Sequence, residues 1–542
     1  MTPLRIISVL ALASLVLAWV WMGRVSQTDP WHRNTDMNIH NTADALAINS
    51  GLPPHAIDQP GVPMKFLLAL DFRARHFLGQ LPVWNLKKFG DSVDPLREIP
   101  ALIRLGRVHS RILVLAFIIS GSGLIYTVTR SREATGLTVI LLSGCFALIF
   151  HGLFTRPELL CVGFGIILAP LCTWRSVEAT RWSGKYGWLL LAGIFGGLSA
   201  MEKLSGVCYI ALCYGWCWLG ALTAQPTGAK FTPSGQPETK FWHGLLPLLC
   251  GASLLGLLFH LEKSQYVFSS LALLRLRTVA VFISILPLLA LWKGGAPWWR
   301  FLLARAGELA VLGGGTLISV VLIYFGCRGV MPDSAPSDYV TRMLSYLLDP
   351  AAMMKILLDT PRSGPVLVQY FQQNPILFTS TPLLAAGVFL VRAIPIRLKA
   401  FIALLLAGAL GMTLVMSQRH FTMHYSIFAQ APLLLAWPLC LYKLSDWMHA
   451  YFPEKRSFQW ILPAAASLAF AVVLTAYPRL QFKYERYQND ATLPVNNLTL
   501  TFLFDHDAHP AAYLKIMRDH YGDREQFART LDAYLADSDN RY

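Results

Sequence analysis

About thirteen separate runs of mostly apolar residues punctuate this chain, and stretches of roughly 18 residues with few charges read as helices that cross a bilayer. They are centred in 4–22, 109–129, 134–151, 157–173, 188–202, 204–222, 242–260, 275–293, 307–326, 375–391, 399–416, 425–442 and 459–477. Lipid offers backbone N–H and C=O groups no partner, so each run must satisfy its own groups as a helix. The expected architecture is therefore all-α and polytopic. Composition agrees: only 14% of the 542 residues are charged, where a soluble domain has about 25%. The first run has a short basic start but ends in "WVWMGRV", with no small-x-small cleavage site. It reads as an uncleaved anchor.

The net charge of +15 would suit a nucleic-acid binder, but the positions of the basic residues exclude that class. Arg130 and Arg132, then Arg175, Arg181 and Lys185, then Lys230 and Lys240 occupy every second loop. The pattern continues with Lys293, Arg300 and Arg305, with Arg392, Arg397 and Lys399, and with Lys443, Lys455 and Arg456. This is the positive-inside distribution. It predicts a cytoplasmic N-terminus and an outward-facing tail beyond 478, which together require an odd number of spans. Eight of the nine cysteines lie in or beside apolar runs, no CxxC occurs, and Cys327 has no evident partner. Neither a disulfide framework nor a structural zinc site is expected.

Three regions lie outside the membrane on this reading, and divide the chain into a membrane domain over 1–477 and a tail over 478–542. The first is an outer loop over 23–108. Within it "ADALAINSG" has helical spacing and stops at Gly51, and "PGVPMKFLLALDFRARHFLG" is an amphipathic run suited to the interface plane. The second is an outer loop over 327–374, carrying Asp333, Asp338, Arg342, Asp349, Lys355, Asp359 and Arg362. The third is the tail, where "AAYLKIMRDHYGDREQFARTLDAYLADS" predicts two short helices and Asn497-Leu498-Thr499 is a lone sequon.

Polar residues crowd into one stretch of the first loop, "NTDMNIHNTADALAINSG", residues 34–51. A helix beginning near Thr35 puts Asp36, His40 and Asp44 on one face at i, i+4, i+8. Three readings stand. Asp36 caps the helix start, where a carboxylate meets backbone N–H groups and the positive dipole end. Alternatively, one carboxylate is a general base at the water–lipid boundary. In the third reading Asp36, His40 and Asp44 ligate a divalent cation. No cofactor is otherwise indicated.

The order of motifs adds to this. The aspartate after the first helix is followed by "INSG", "QPGVPMKFLLAL", "RLGRVHSRILVLAFIISGSGLIYTVTR", the short turn "HGLFTRPELL", "GGLSAMEKLSG" between two spans, and a late "SQRHFTMHYSIFAQAPLLLA". Across most of 1–445 this order resembles the GT-C superfamily of integral-membrane glycosyltransferases, in particular its protein-mannosyltransferase and aminoarabinose-transferase-like branches. The resemblance implies transfer of a sugar from a polyprenyl- or dolichyl-phosphate carrier on the outer face, usually with inversion. It implies that Asp36 is the catalytic base, with Asp44 and Asp58 as alternative acids. It also matches Arg156, Lys203, Arg419, His420, His424 and Tyr425 to the family's substrate-binding positions. Met37 stands where many members have a second acid, and Gln59-Pro60-Gly61 where many have His-Pro or Pro-Pro; both departures put metal use in question.

Independent chemistry points the same way. A lipid-phosphate leaving group needs cations at the membrane surface, and arginine binds phosphate as a planar fork. Arg156, Lys203 and Arg419 all fall on the outer side, against the positive-inside trend. Each has a bland alternative: the arginines snorkel to head groups, and Lys203 pairs with Glu202. His420 and His424 have the i, i+4 spacing of a metal pair, although interfacial histidines more often contact head groups. Glu158 would stabilise the start of its helix. The expected partners are a polyprenyl-phosphate sugar, membrane lipids and a lipid, glycan or protein acceptor. A transporter or flippase is the main rival; its ionisable residues would gather at the midplane, and here they gather in outer loops. A polymerase or ligase of lipid-linked glycans and a non-catalytic scaffold remain open as well. Without a recognisable retention signal, a bacterial inner membrane is the expected location.

Overall fold

The computed structural model describes residues 2–28, 30–32, 35–52, 61–179, 181–203, 206, 209, 212–213, 215, 307–319, 321–323, 360–417, 425–454, 456–489, 500, 503–504 and 510–537. Among these the chain is helical and has no strand. In chain order the helices are α1 (Pro3–Thr28), α2 (Thr35–Asn49), α3 (Val62–Phe77), α4 (Leu86–Gly90), α5 (Pro95–Thr129), α6 (Arg132–Ser143) and α7 (Phe146–Phe150). Then come α8 (Glu158–Glu178), α9 (Trp182–Glu202), α10 (Gly307–Ile323), α11 (Thr360–Gln373), α12 (Pro375–Leu390) and α13 (Ile396–Ser417). Last are α14 (Ser426–Tyr451), α15 (Ile461–Asn489), α16 (Ala511–Tyr521) and α17 (Arg524–Ala536).

Six helices among the described residues are long and apolar enough to cross a membrane: Pro3–Gln27, Pro95–Thr129, Glu158–Glu178, Ile396–Leu414, Ser426–Tyr451 and Ser457–Pro478. Their outer sides are apolar as well as their packed sides. Val9, Leu12, Val16 and Val20 are exposed on α1, and Leu468, Val472 and Leu474 on α15. Water would oppose that arrangement and lipid favours it. The chain is an integral, polytopic, all-α membrane protein.

Several expected boundaries move. The first outer loop begins after Thr28 and ends at Asp94, because α5 starts at Pro95 and runs unbroken for 35 residues into the membrane. The expected run 134–151 is two helices: Gly144 and Cys145 break it between α6 and α7. A Cβ at Gly144 would meet Val473 Cγ2 at 2.5 Å, so α15 presses against the break. Helix α8 contains a π segment over Gly163–Leu168. The expected loop 327–374 ends in a helix, α11, and α15 runs through the 477/478 boundary to Asn489. The expected spans 242–260 and 275–293, nearly all of 204–222, and Asn497 lie outside the described residues.

Two of the apolar cores among the described residues position the site. The larger joins α1, α5, α6, α7, α8, α13, α14 and α15 through residues such as Met22, Val114, Leu137, Cys161, Phe401, Phe428 and Val473. Tyr477 fixes α15 there by donating its hydroxyl to the Ser143 carbonyl at 2.5 Å. The second lies in the outer layer. Ile39 and Leu46 of α2, Leu68 and Phe72 of α3, Phe89 of α4 and Leu102 of α5 pack with Tyr513, Met517, Phe527 and Leu531 of the tail helices. Tyr521 locks this junction, donating to Asp94 Oδ1 at 2.5 Å and accepting the Leu96 N–H at 2.8 Å. Burial, and then the Asp94 carboxylate, push its phenol above the ordinary range, so it stays a donor. The first loop and the tail therefore lie on one side of the membrane.

Helices α9 and α10 approach backbone to backbone. A Cβ at Gly193 would overlap the Leu312 carbonyl, and one at Gly315 the Leu190 carbonyl. Small residues permit such contact between membrane helices. Lys185 and Glu308 pair across the same junction. Gly193→Ala is expected to lower stability by about 1–3 kcal/mol through overpacking, read as the unfolding midpoint of the detergent-solubilised protein; Gly187→Ala, with open space around its Cβ position, is the control that should be silent.

Candidate active site

The polar groups of the outer layer converge where α2, the turn 151–157, the start of α3, the end of α9 and the start of α14 meet. Helix α2 covers the whole of the polar stretch from Thr35 to Asn49, and Gly51 follows it at φ 72°, the left-handed conformation that a stop signal requires. Asn49 at its end donates to the Ala69 and Trp84 carbonyls at 2.9 and 3.0 Å, tying α2 to the rest of the loop.

Two to three turns earlier the helix grips a distant segment. Asn38 Oδ1 accepts the Thr155 N–H at 2.9 Å, and Asn41 Nδ2 donates to the Thr155 carbonyl at 2.7 Å. All three residues are buried. The next residue is Arg156, so the helix that carries Asp36 holds the backbone from which Arg156 projects.

Pro157 and Glu158 continue that turn. Gly61 sits at φ 124° before α3, and a Cβ there would stand 3.2 Å from Pro157 Cβ. Both constraints call for glycine. Glu158 opens α8, where a carboxylate also meets the positive end of the helix dipole. It is 1% exposed, lies 2.5 Å from Lys203 Nζ, and has His151 Nε2 at 4.0 Å. Lys203 leaves the end of α9 and lies over the Tyr425 ring, 4.2 Å from its centroid, with Phe428 at 5.8 Å. A cation enclosed by a carboxylate and two aromatic faces is strongly held.

The expected pairing of Lys203 with Glu202 is thus corrected. The two side chains diverge: Lys203 takes Glu158, and Glu202 accepts the Met64 N–H at 3.0 Å. Met64 is in the first turn of α3, whose N–H groups have no partner inside the helix. Glu202 supplies an acceptor and a negative charge from another element, as a cap would. One residue on, Lys65 reaches Asp44 at 2.8 Å, with both side chains 2% exposed.

The structure brings together α2, Arg156, Lys203 and Tyr425. Asp36 lies in the first turn of α2, but its side chain is outside the described residues, as are Asp58, Arg419, His420 and His424. His40 is half-buried on α2, and Asp44 is engaged by Lys65. Among the described residues no three His, Cys, Asp or Glu side chains gather as a metal site. Four described cysteines, Cys145, Cys161, Cys172 and Cys440, are free and buried. Sequence reasoning missed Asn38, Asn41, Lys65 and the cap by Glu202. Only Lys65 left a signal, as a lone charge in "VPMKFLLAL".

No protein-family model matches the chain, and no curated protein matches it. Among solved structures it is similar to the archaeal oligosaccharyltransferase AglB from Archaeoglobus fulgidus in complex with an inhibitory peptide and a dolichol-phosphate. That match has 14% identity and a TM-score of 0.43, covering 86% of this chain and 55% of that one. It is also similar to ArnT from Cupriavidus metallidurans in the apo state, at 12% identity and a TM-score of 0.25, covering 84% of this chain and 76% of that one. The chain thus spans about half the length of the oligosaccharyltransferase.

Proposed function

We propose that this chain is a GT-C-type glycosyltransferase that moves one sugar from a polyprenyl-phosphate carrier, dolichyl or undecaprenyl, to a lipid, glycan or protein acceptor. The reaction takes place on the outer face of a bacterial inner membrane, with the N-terminus cytoplasmic and the tail outside. Asp36 takes the proton of the acceptor hydroxyl, whose oxygen attacks the anomeric carbon with inversion. The carbon–oxygen bond to the phosphate breaks, and the carrier phosphate leaves with the electron pair. Arg156 and Lys203 stabilise that charge, with Tyr425 beside Lys203, and Arg419 and His424 complete the set.

The observation that carries this reading is the hydrogen-bonded link from α2 through Thr155 to Arg156, continued by Glu158 to Lys203 and Tyr425. It supports a base carried on α2 acting beside cations suited to phosphate. Glu158 opens α8 and Lys203 follows the end of α9, so this pair stands at helix termini, which supports a head-group site over a midplane transport site.

The test supplies membranes containing the full chain with a panel of radiolabelled polyprenyl-phosphate sugars and native acceptors. Labelled product, lost with Arg156→Ala, supports the reading and identifies the acceptor. A purified protein that neither transfers from any donor nor binds undecaprenyl phosphate sinks it.

A further inference from the structure

Thr155 has both of its backbone hydrogen-bonding groups held by side chains from a helix more than a hundred residues away in sequence. Asn38 and Asn41 are three positions apart, so they share a face of α2 and are offset by about 4.5 Å along its axis. The two amides present opposite functions, an acceptor from Asn38 and a donor from Asn41. A side-chain amide offers both kinds of group, whereas an ionised carboxylate can only accept. Fixing both peptide planes of Thr155 fixes the direction in which the chain enters Arg156.

We infer that Asn38 and Asn41 are positioning residues for Arg156, fixing its guanidinium relative to α2 so that the base-bearing helix and the phosphate-binding arginine form one rigid unit. This rests on the phosphate-binding reading of Arg156. The chemistry makes the two positions unequal. Asn38→Asp keeps an oxygen for the Thr155 N–H, and it loses nothing at Nδ2, which has no hydrogen-bond partner among the described residues. Asn41→Asp sets a carboxylate oxygen against the Thr155 carbonyl. Both variants add the same charge one turn apart, so a difference between them reports the contact and not the charge.

Two readouts test this on the purified full-length protein. The first is the rate at which phenylglyoxal modifies Arg156, followed by peptide mass spectrometry. It should rise several-fold in Asn41→Asp relative to Asn38→Asp. The second is binding of undecaprenyl phosphate. Asn41→Asp should bind about tenfold more weakly than Asn38→Asp, the worth of one hydrogen bond to a charged group. In an Arg156→Ala background that difference should vanish, because a residue acting through Arg156 has nothing left to position. If Asn41→Asp does not fold, Asn41→Ala removes the donor without adding a charge and carries the same expectations. Equal modification rates in the two variants overturn the inference, as does a binding loss that persists without Arg156. If the wild type binds no undecaprenyl phosphate, the carrier reading fails, and the phenylglyoxal rates alone decide whether the clamp sets Arg156.

Discussion

Asp36→Asn is expected to slow sugar transfer by about 10²–10⁴-fold, the contribution of a positioned general base. The amide has the size of the carboxylate and still accepts a hydrogen bond, so a capping role at the start of α2 would survive the change. What it cannot do is take a proton. The loss should therefore fall on the rate of the chemical step, with donor binding nearly unchanged. Single-turnover transfer from a preloaded labelled carrier separates the two. Equal rates in wild type and variant would remove Asp36 from the chemistry and direct attention to Asp58, because Asp44 is engaged by Lys65 in a dry environment.

The second large effect is on stability. Lys65→Met should destabilise the outer layer by about 3–5 kcal/mol, the usual result of stripping one partner from a buried ion pair. Both side chains are almost fully excluded from water, and the neighbouring residues Ile39, Ala43 and Leu68 are buried and apolar. A carboxylate left there keeps its desolvation penalty and loses the Lys65 cation. Asp44→Leu combined with Lys65→Met should recover most of the loss, since an apolar pair of similar volume needs no desolvation of charge. Unfolding midpoints of the two single variants and the double variant form a cycle that isolates the pair. Additive losses would mean that the two residues act separately.

Hydropathy carried the broad architecture, because a bilayer leaves helices almost no alternative. The six long apolar helices all overlap runs visible in the sequence. Helix ends were less visible. The charges in "DPLREIPALIRLGRVHSR" concealed the start of α5, although Asp94-Pro95 is a sound start signal. The break at Gly144 depends on contact with α15, which no local window contains. In the site, Arg156, Lys203 and Tyr425 stood out as outward residues in a suggestive order. Asn38 and Asn41 did not, because two asparagines on a polar helix face look solvated until Thr155 is placed between them. The exchange of partners by Glu202 and Lys203 was hidden for the same reason. Sequence shows neighbours along the chain, and both side chains turned to elements far from it.

The shared outer core also bears on how the chain is made. The apolar faces of α2 to α4 emerge early, while the helices that cover them, α16 and α17, are synthesised roughly 400 residues later, or about 20–80 s at ordinary elongation rates. Throughout that interval Phe72, Phe89 and Leu102 have no tail to pack against. The outer layer therefore closes only after the residues of the membrane bundle have been synthesised, and until then those apolar faces stay uncovered by the tail.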